Sequence, residues 1–266
     1  DQFWLALHES TRGSRILDVK LTGDDRCVAT EVTSPALAAD IVSNLACSVE
    51  RLWVSTANGR LYEHNGRGWS LWLDGETGLD LSRIRHVMVT DGHHPALWMT
   101  ERTSDGAIGA VRMRMLPQQG VLPAGPWRRC DLLAGVTVPD RGLMRGSDLQ
   151  LTATDGTPVA WYDDSRNEHV LAVPGRTAGL WCFRAPTERP ESPDKATLKI
   201  EYIETPGERV LAMDQHGFQI ALVLESQDAS HRRVATLSQR QLAHGLGEAA
   251  NVLQNSALDP SLFQGA

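Results

Sequence analysis

Six carboxylates, Asp91, Asp155, Asp163, Asp164, Glu204 and Asp214, stand at the ends of alternating apolar runs or in the turns between them. Two carboxyl groups held roughly 5–10 Å apart can cleave a glycosidic bond, one as acid and the other as base or nucleophile. Side chains on separate strand ends meet only if those strands surround a shared cavity, so this chemistry depends on architecture. Asp91 and Asp155 also precede glycine, and Asp-Gly suits the positive φ angles of a tight hairpin turn. Aromatic residues make up 6% of the chain, which leaves few rings for stacking on a sugar.

Histidines offer a second chemistry. His86, His93 and His94, with Asp91, could ligate a metal, but ligands must converge and be oriented from behind. Adjacent residues in a strand or turn point apart, so His93 and His94 cannot readily grip one ion together. The expectation is exposed turn histidines, with no metal and no cofactor. Gly245-Leu246-Gly247-Glu248-Ala249-Ala250 matches the spacing of a dinucleotide fingerprint, yet it lies within a helical stripe and follows no strand. The chain contains no GxxxxGK[ST], GxSxG or HExxH. For binding rather than reaction, Trp127 beside Arg128 and Arg129 in GPWRR combines residue types enriched at recognition hot spots. These three, with Asp91, His93 and His94, are the candidate contact residues.

The elements that would position these residues are short strands. Runs such as FWLALHE (3–9), RLWVST (51–56), ALWMTE (96–101), VAWYDD (159–164), HVLAV (169–173), GLWCFRA (179–185) and FQIALVLE (218–225) alternate with period two. Gly, Asp, Asn and Pro turns separate them. VTDGHHPALWMTE (89–101) and ATDGTPVAWYDD (153–164) share Thr-Asp-Gly, a proline and a Trp-bearing strand. Units aligned on Trp4, Trp53, Trp98, Trp161 and Ala212 lie 49, 45, 63 and 51 residues apart. A four-stranded propeller blade takes about 40–50 residues, and the Pro/Gly-rich MLPQQGVLPAGPW accounts for the long interval as an insertion. The fold class is therefore read as all-β and β-propeller-like over 1–237, with five or six four-stranded, WD-like blades. A sixth would lie near GLWCFRA or outside the chain. A β-sandwich with chance internal likeness is the competing architecture. Trp69 and Trp72, three apart, fall on opposite faces of their strand.

Two segments suggest helices. SPALAADIVSNLA (34–46) opens with Ser34 as cap and Pro35 at the first helical position. SQRQLAHGLGEAANVLQN (238–255) has Ser238 and Gln241 in a capping-box arrangement, and Leu242, Leu246, Ala249, Ala250 and Leu253 form one stripe. Gly245 and Gly247 weaken it by roughly 1 kcal/mol each. This C-terminal amphipathic helix and tail, 238–266, presents Leu242, Leu246 and Leu253 to the propeller or to a partner.

A net charge of −7 argues against general nucleic-acid binding and a polybasic membrane anchor. No apolar run reaches the ~18 residues of a membrane span. Cys27, Cys47, Cys130 and Cys182 are widely spaced without a CxxC, which suggests reduced structural thiols and the cytoplasm. The chain opens at Asp1, two residues before a strand, as a processed chain or a domain cut from a longer one would.

VERLWVSTANGRLYEHNG (49–66) resembles the regulator propeller repeat of bacterial sensor proteins, whose blades read roughly LW-x-x-T-x-x-G-L. Leu52, Trp53, Thr56, Gly59 and Leu61 carry the match, with Arg60 between the last two. The likeness covers one blade. It implies sensing or interaction rather than a particular reaction. The expected function is a non-catalytic binding or regulatory module mediating protein interaction or sensing, part of a larger prokaryotic protein or complex. Its partner would be a protein or a missing part of the same polypeptide. The alternative is a carbohydrate-acting propeller, lectin or glycoside hydrolase, since some five-bladed propellers are glycoside hydrolases that draw acids from different blades.

Overall fold

The computed structural model describes residues 2–9, 13–22, 26–32, 37, 39–47, 51–74, 83–90, 95–116, 125–139, 141–149, 158–187, 197–205, 207–216 and 219–238. The chain divides into two compact units, Asp1–Met88 and Val89–Ala266.

In the first unit, β1 (Gln2–Glu9), β2 (Gly13–Thr22) and β3 (Arg26–Glu31) form one antiparallel sheet. A second comprises β4 (Val42–Cys47), β5 (Leu52–Thr56), β6 (Arg60–His64) and β7 (Trp69–Asp74). Alternation gives each sheet an apolar face. Ile16, Leu37, Leu52, Val54 and Tyr62 form a shared core, joined by Trp4, Ala6, Val42, Leu45 and Trp69. Every such Leu, Ile or Val withdrawn from water contributes roughly 1.5–3 kcal/mol. Backbone and side chains tie the sheets as well: Val42 N–H donates to Ser14 Oγ at 2.9 Å, and the Trp69 indole N–H donates to the Val32 carbonyl.

Strand β8 (Ile84–Thr90) leads into the second unit, where it joins β9 (Ala96–Arg102), β10 (Ile108–Met115) and β11 (Arg128–Asp131) in the order β11-β10-β9-β8. A separate hairpin follows, β12 (Val136–Val138) with β13 (Gly142–Met144), and then a single 3-10 turn at Gly146–Asp148. The fourth large sheet is β14 (Val159–Asp163), β15 (Glu168–Pro174), β16 (Leu180–Pro186) and β17 (Lys199–Ile203). The fifth is β18 (Glu208–His216), β19 (Gln219–Ser226) and β20 (Arg232–Ser238). Trp161, Val170, Ala172, Leu180, Cys182 and Ile203 of the fourth pack on Val210, Met213, Ile220, Leu222, Leu224, Ala235 and Leu237 of the fifth. Val210 and Met213 share that face although three apart, because the register slips between Val210 and Ala212. One extra residue in a strand restores the facing of the next.

The protein is thus all-β, with five propeller blades of three or four strands each. The expected uniform four-stranded blade is corrected: the first and last described blades have three strands. Among the described residues there is no sixth blade, because GLWCFRA is β16 of the fourth. The helix expected over 34–46 is also corrected, since its second half is strand β4, paired with β5 from Val42↔Thr56 to Cys47↔Leu52. An apolar spacing of three or four over so few residues is compatible with either structure, and ladder pairing decides it. The long interval has a second source besides the stretch at 115–127, because the β12–β13 hairpin, which belongs to no blade, follows β11. A register shift at Leu61/Tyr62 leaves Trp72 as the extra residue of β7, so strict alternation does not describe Trp69 and Trp72. The C-terminal helix, with Leu242, Leu246 and Leu253, lies outside the described residues.

Candidate functional site

The β12–β13 hairpin belongs to none of the five blades. Its turn holds Arg141, whose N–H donates to the Val138 carbonyl at 3.2 Å. Next to it runs the 3-10 turn, docked tightly on β10: a Cβ built at Gly146 would lie 1.6 Å from the Ile108 carbonyl oxygen. Arg176 stands on the β15–β16 connection, closed by Gly175 N–H donating to Gly179 O at 2.8 Å. That connection is fixed at both ends. Arg176 N–H donates to the Asp148 carbonyl at 2.7 Å, and Gly179 N–H to Thr205 Oγ1 at 2.7 Å.

Between these pieces lies a cavity of about 550 Å³, lined by Arg141, Leu143, Asp148, Arg176, Trp181, Tyr202 and their neighbours. Alternation explains the aromatic wall. Leu180 and Ile203 face the core shared with the fifth blade, so Trp181 and Tyr202, one residue along β16 and back along β17, face the other way. They are a directly paired cross-strand couple, with ring centroids 4.6 Å apart and planes at 55°. Tilted pairs of this kind are favourable beyond their buried area. Arg141 lies over the Tyr202 ring at 4.5 Å and pairs with Glu204 at 3.0 Å. Tyr202 OH donates to the Ala178 carbonyl at 3.1 Å. Burial pushes the Tyr202 phenol above its usual pKa, Arg141 pulls it down, and Glu204 pushes it up. Leu143 is an exposed apolar side chain on the rim.

The opposite end of the same sheet is built differently. Asp163 pairs with Glu168 in register, and Arg184 with Lys199. Arg184 is 1% exposed and meets Asp163 at 3.3 Å, Glu168 at 3.6 Å and Glu201 at 2.7 Å. On the far face of β15, the buried His169 shares a hydrogen bond of 2.7 Å with Thr90 Oγ1 and packs on Tyr162.

The anticipated site residues separate on this framework. Asp91, His93, His94 and Asp155 lie outside the described residues. Asp163 and Glu204 sit at opposite ends of one sheet and cannot act as an acid–base pair on one bond. Asp164 and Asp214 are exposed. Trp127 is half-buried, with Arg114 over its ring at 5.5 Å. Arg129 is exposed and pairs with Asp131 at 3.1 Å. Arg128 belongs to strand β11 rather than to a loop, and its buried side chain is withdrawn from any surface contact. Burial lowers the pKa of Arg128. His86 is lowered to about 4 by burial and by Arg85. All four cysteines are free; burial pushes Cys182 up to about 12 and Cys130 up to about 11, whereas Cys27 and Cys47 are exposed. Cys47 is therefore not the buried hydrophobe its apolar surroundings suggest. Among the described residues, no three His, Cys, Asp or Glu side chains converge to hold a metal.

Sequence reasoning passed over Arg141, Arg176, Trp181 and Tyr202. A signal was present: Val138-Pro139-Asp140-Arg141 and Val173-Pro174-Gly175-Arg176 repeat a Val-Pro-x-Arg pattern. Each places an arginine in a turn directly after a strand.

No family model and no curated protein matches this sequence. Among solved structures, the chain is similar to the periplasmic gluconolactonase PpgL of Pseudomonas aeruginosa (12% identity, 89% of this chain and 66% of that one, TM-score 0.42). It is likewise similar to BamB of Moraxella catarrhalis (9% identity, 90% and 67%, TM-score 0.35). A third similar structure is the computationally designed Ika4 protein (12% identity, 79% and 99%, TM-score 0.40).

Proposed function

We propose that this chain is a non-catalytic binding module, and that the cleft between the β12–β13 hairpin and the fourth blade is its contact site for a protein segment. The observation that carries this reading is the lining: paired Trp181 and Tyr202, two arginines and an exposed leucine around about 550 Å³. Trp, Tyr and Arg are the residues that most often dominate binding energy at protein interfaces. The cavity volume falls within the range of roughly 300–1,000 Å³ usual for ligand sites. The partner is a separate protein or another part of the same polypeptide.

A photo-crosslinking residue placed at Leu143 or Thr177, in the cells the protein comes from, tests this. A discrete protein adduct, lost when Arg176 is changed to Glu, is the expected result. Adducts from Trp127 or Arg129 but none from the cleft would overturn the placement. Retention of a neutral glycan by the cleft, without protein adducts, would favour a carbohydrate-binding propeller instead; Ser147 and Thr177 supply the hydroxyls such a site would use.

A further inference from the structure

The two arginines of the cleft are not equivalent. Arg141 is committed, with its guanidinium on Glu204 and over the Tyr202 ring. Arg176 is exposed, lines the cavity, and pairs with no carboxylate among the described residues. Its neighbour Asp148 already accepts the Arg145 backbone N–H at 2.7 Å. The backbone that presents Arg176 is pinned at Asp148 and Gly179, so a ligand would pay little to order it. Leu143, opposite, offers apolar surface that only a ligand's own apolar group would cover well.

From these features we infer that the cleft takes an acidic peptide segment. One carboxylate lies on Arg176, and a neighbouring aliphatic or aromatic side chain packs on Leu143 and the Trp181–Tyr202 pair. The inference rests on the binding-module reading above and names the ligand chemistry of the same site. A guanidinium matches a carboxylate in two parallel hydrogen bonds, stronger than neutral ones. A polyphosphate fits less well, because Asp148 lines the cavity and Glu204 stands beside Arg141, within a chain of net charge −7. A single carboxylate flanked by an apolar side chain answers both Arg176 and Leu143.

The test uses the full chain and fluorescence anisotropy with a labelled acetyl-Gly-Leu-Glu-Leu-Gly peptide, its Gln counterpart, and inorganic phosphate as competitor. The Glu peptide is expected to bind, more weakly at higher salt, and Arg176→Gln is expected to weaken it roughly tenfold. Arg26→Gln, an exposed arginine of β3 far along the chain from the cleft, should leave binding unchanged. The Gln peptide should bind the wild type no better than the Glu peptide binds Arg176→Gln. Equal binding of Glu and Gln peptides, indifference to Arg176→Gln, or no binding at millimolar peptide would each overturn the proposal. So would displacement by phosphate as effective as that by the acidic peptide, which would mark a simple anion site. A crosslinked partner that presents a non-acidic segment would sink this inference and leave the binding module standing. Absence of any adduct at the cleft would remove the module reading itself.

Discussion

The fourth blade handles arginine in two ways at its two ends. At one end Arg184 is buried and surrounded by Asp163, Glu168 and Glu201. At the other, Arg176 is exposed on a rigid turn with no carboxylate partner among the described residues, beside an aromatic pair and a cavity. The strands between them are the same four, and the two inner ones, β15 and β16, are buried on both faces. What differs is where the chain spends its carboxylates. A buried charge left without a partner is strongly destabilising, so the carboxylates at the Arg184 end answer a structural need. An exposed charge costs little to leave unanswered and is free to meet a ligand.

The largest expected difference lies in stability. Arg184→Met takes the buried cation from Asp163 and Glu168, leaving Asp163 its Ser165 and Arg166 N–H donors and Glu168, among the described residues, only the exposed Lys199; loss of one partner in a buried ion pair costs about 3–5 kcal/mol. Arg176→Gln should change stability by less than about 0.5 kcal/mol, as surface substitutions do. Urea unfolding of both variants measures this. The double variant Arg184→Met, Asp163→Asn sharpens it, because removing a charge on each side should recover part of the loss. If the double variant is as unstable as the single, the Arg184 side chain matters for packing rather than for charge.

That contrast also explains what could be read in advance. Strands such as FWLALHE, ALWMTE and FQIALVLE announce themselves because burial on one face imposes period two, and the tryptophans at 53, 98 and 161 are buried as a blade core requires. β3 (RCVATE) carries no such signal, since all six of its residues are exposed and, among the described residues, it pairs only with β2. β12 and β13, of three residues each, are too short for any period to show. The cleft was hidden for a related reason. Its arginines come from two turns some 35 residues apart, and only the sheet register brings Trp181 opposite Tyr202. Asp163 and Glu204 stand among the candidate carboxylates for the converse reason: strand ends are visible in sequence, but which end of the sheet each occupies is a matter of pairing.

Gly179 should matter most to the cleft itself. Its φ is +71°, and a Cβ there would lie 2.3 Å from the Tyr202 hydroxyl and 2.6 Å from the Ile203 carbonyl oxygen. Gly179→Ala therefore meets both backbone strain and collision, and a loss of about 1–3 kcal/mol is expected. Because the displaced group is Tyr202, peptide binding at the cleft should fall as well, while the Arg184 end stays intact. Tyr202→Phe is gentler. It removes the hydrogen bond to Ala178 but keeps the ring under Arg141, for about 0.5–1.5 kcal/mol. A Tyr202→Phe variant as unstable as Gly179→Ala would show that the hydroxyl, and not the room around Gly179, organises this end.

The smallest effect is electrostatic and reads the cleft directly. Tyr202 carries a phenol whose pKa is raised first by burial, with Glu204 adding to the rise and Arg141 opposing it. The phenolate is the charged form, so a nearby cation favours it and a nearby carboxylate disfavours it. Arg141→Gln removes the cation and should raise the Tyr202 pKa further. Glu204→Gln removes the carboxylate and should lower it toward the ordinary tyrosine value. Titration of the tyrosine Cζ resonances by carbon NMR, with Tyr202→Phe for assignment, follows both shifts. Opposite signs in the two variants would show that Arg141 and Glu204 act on the ring in solution as their geometry requires. No shift in either would mean that the guanidinium leaves Tyr202, and that Arg141 is as free as Arg176 to meet a ligand.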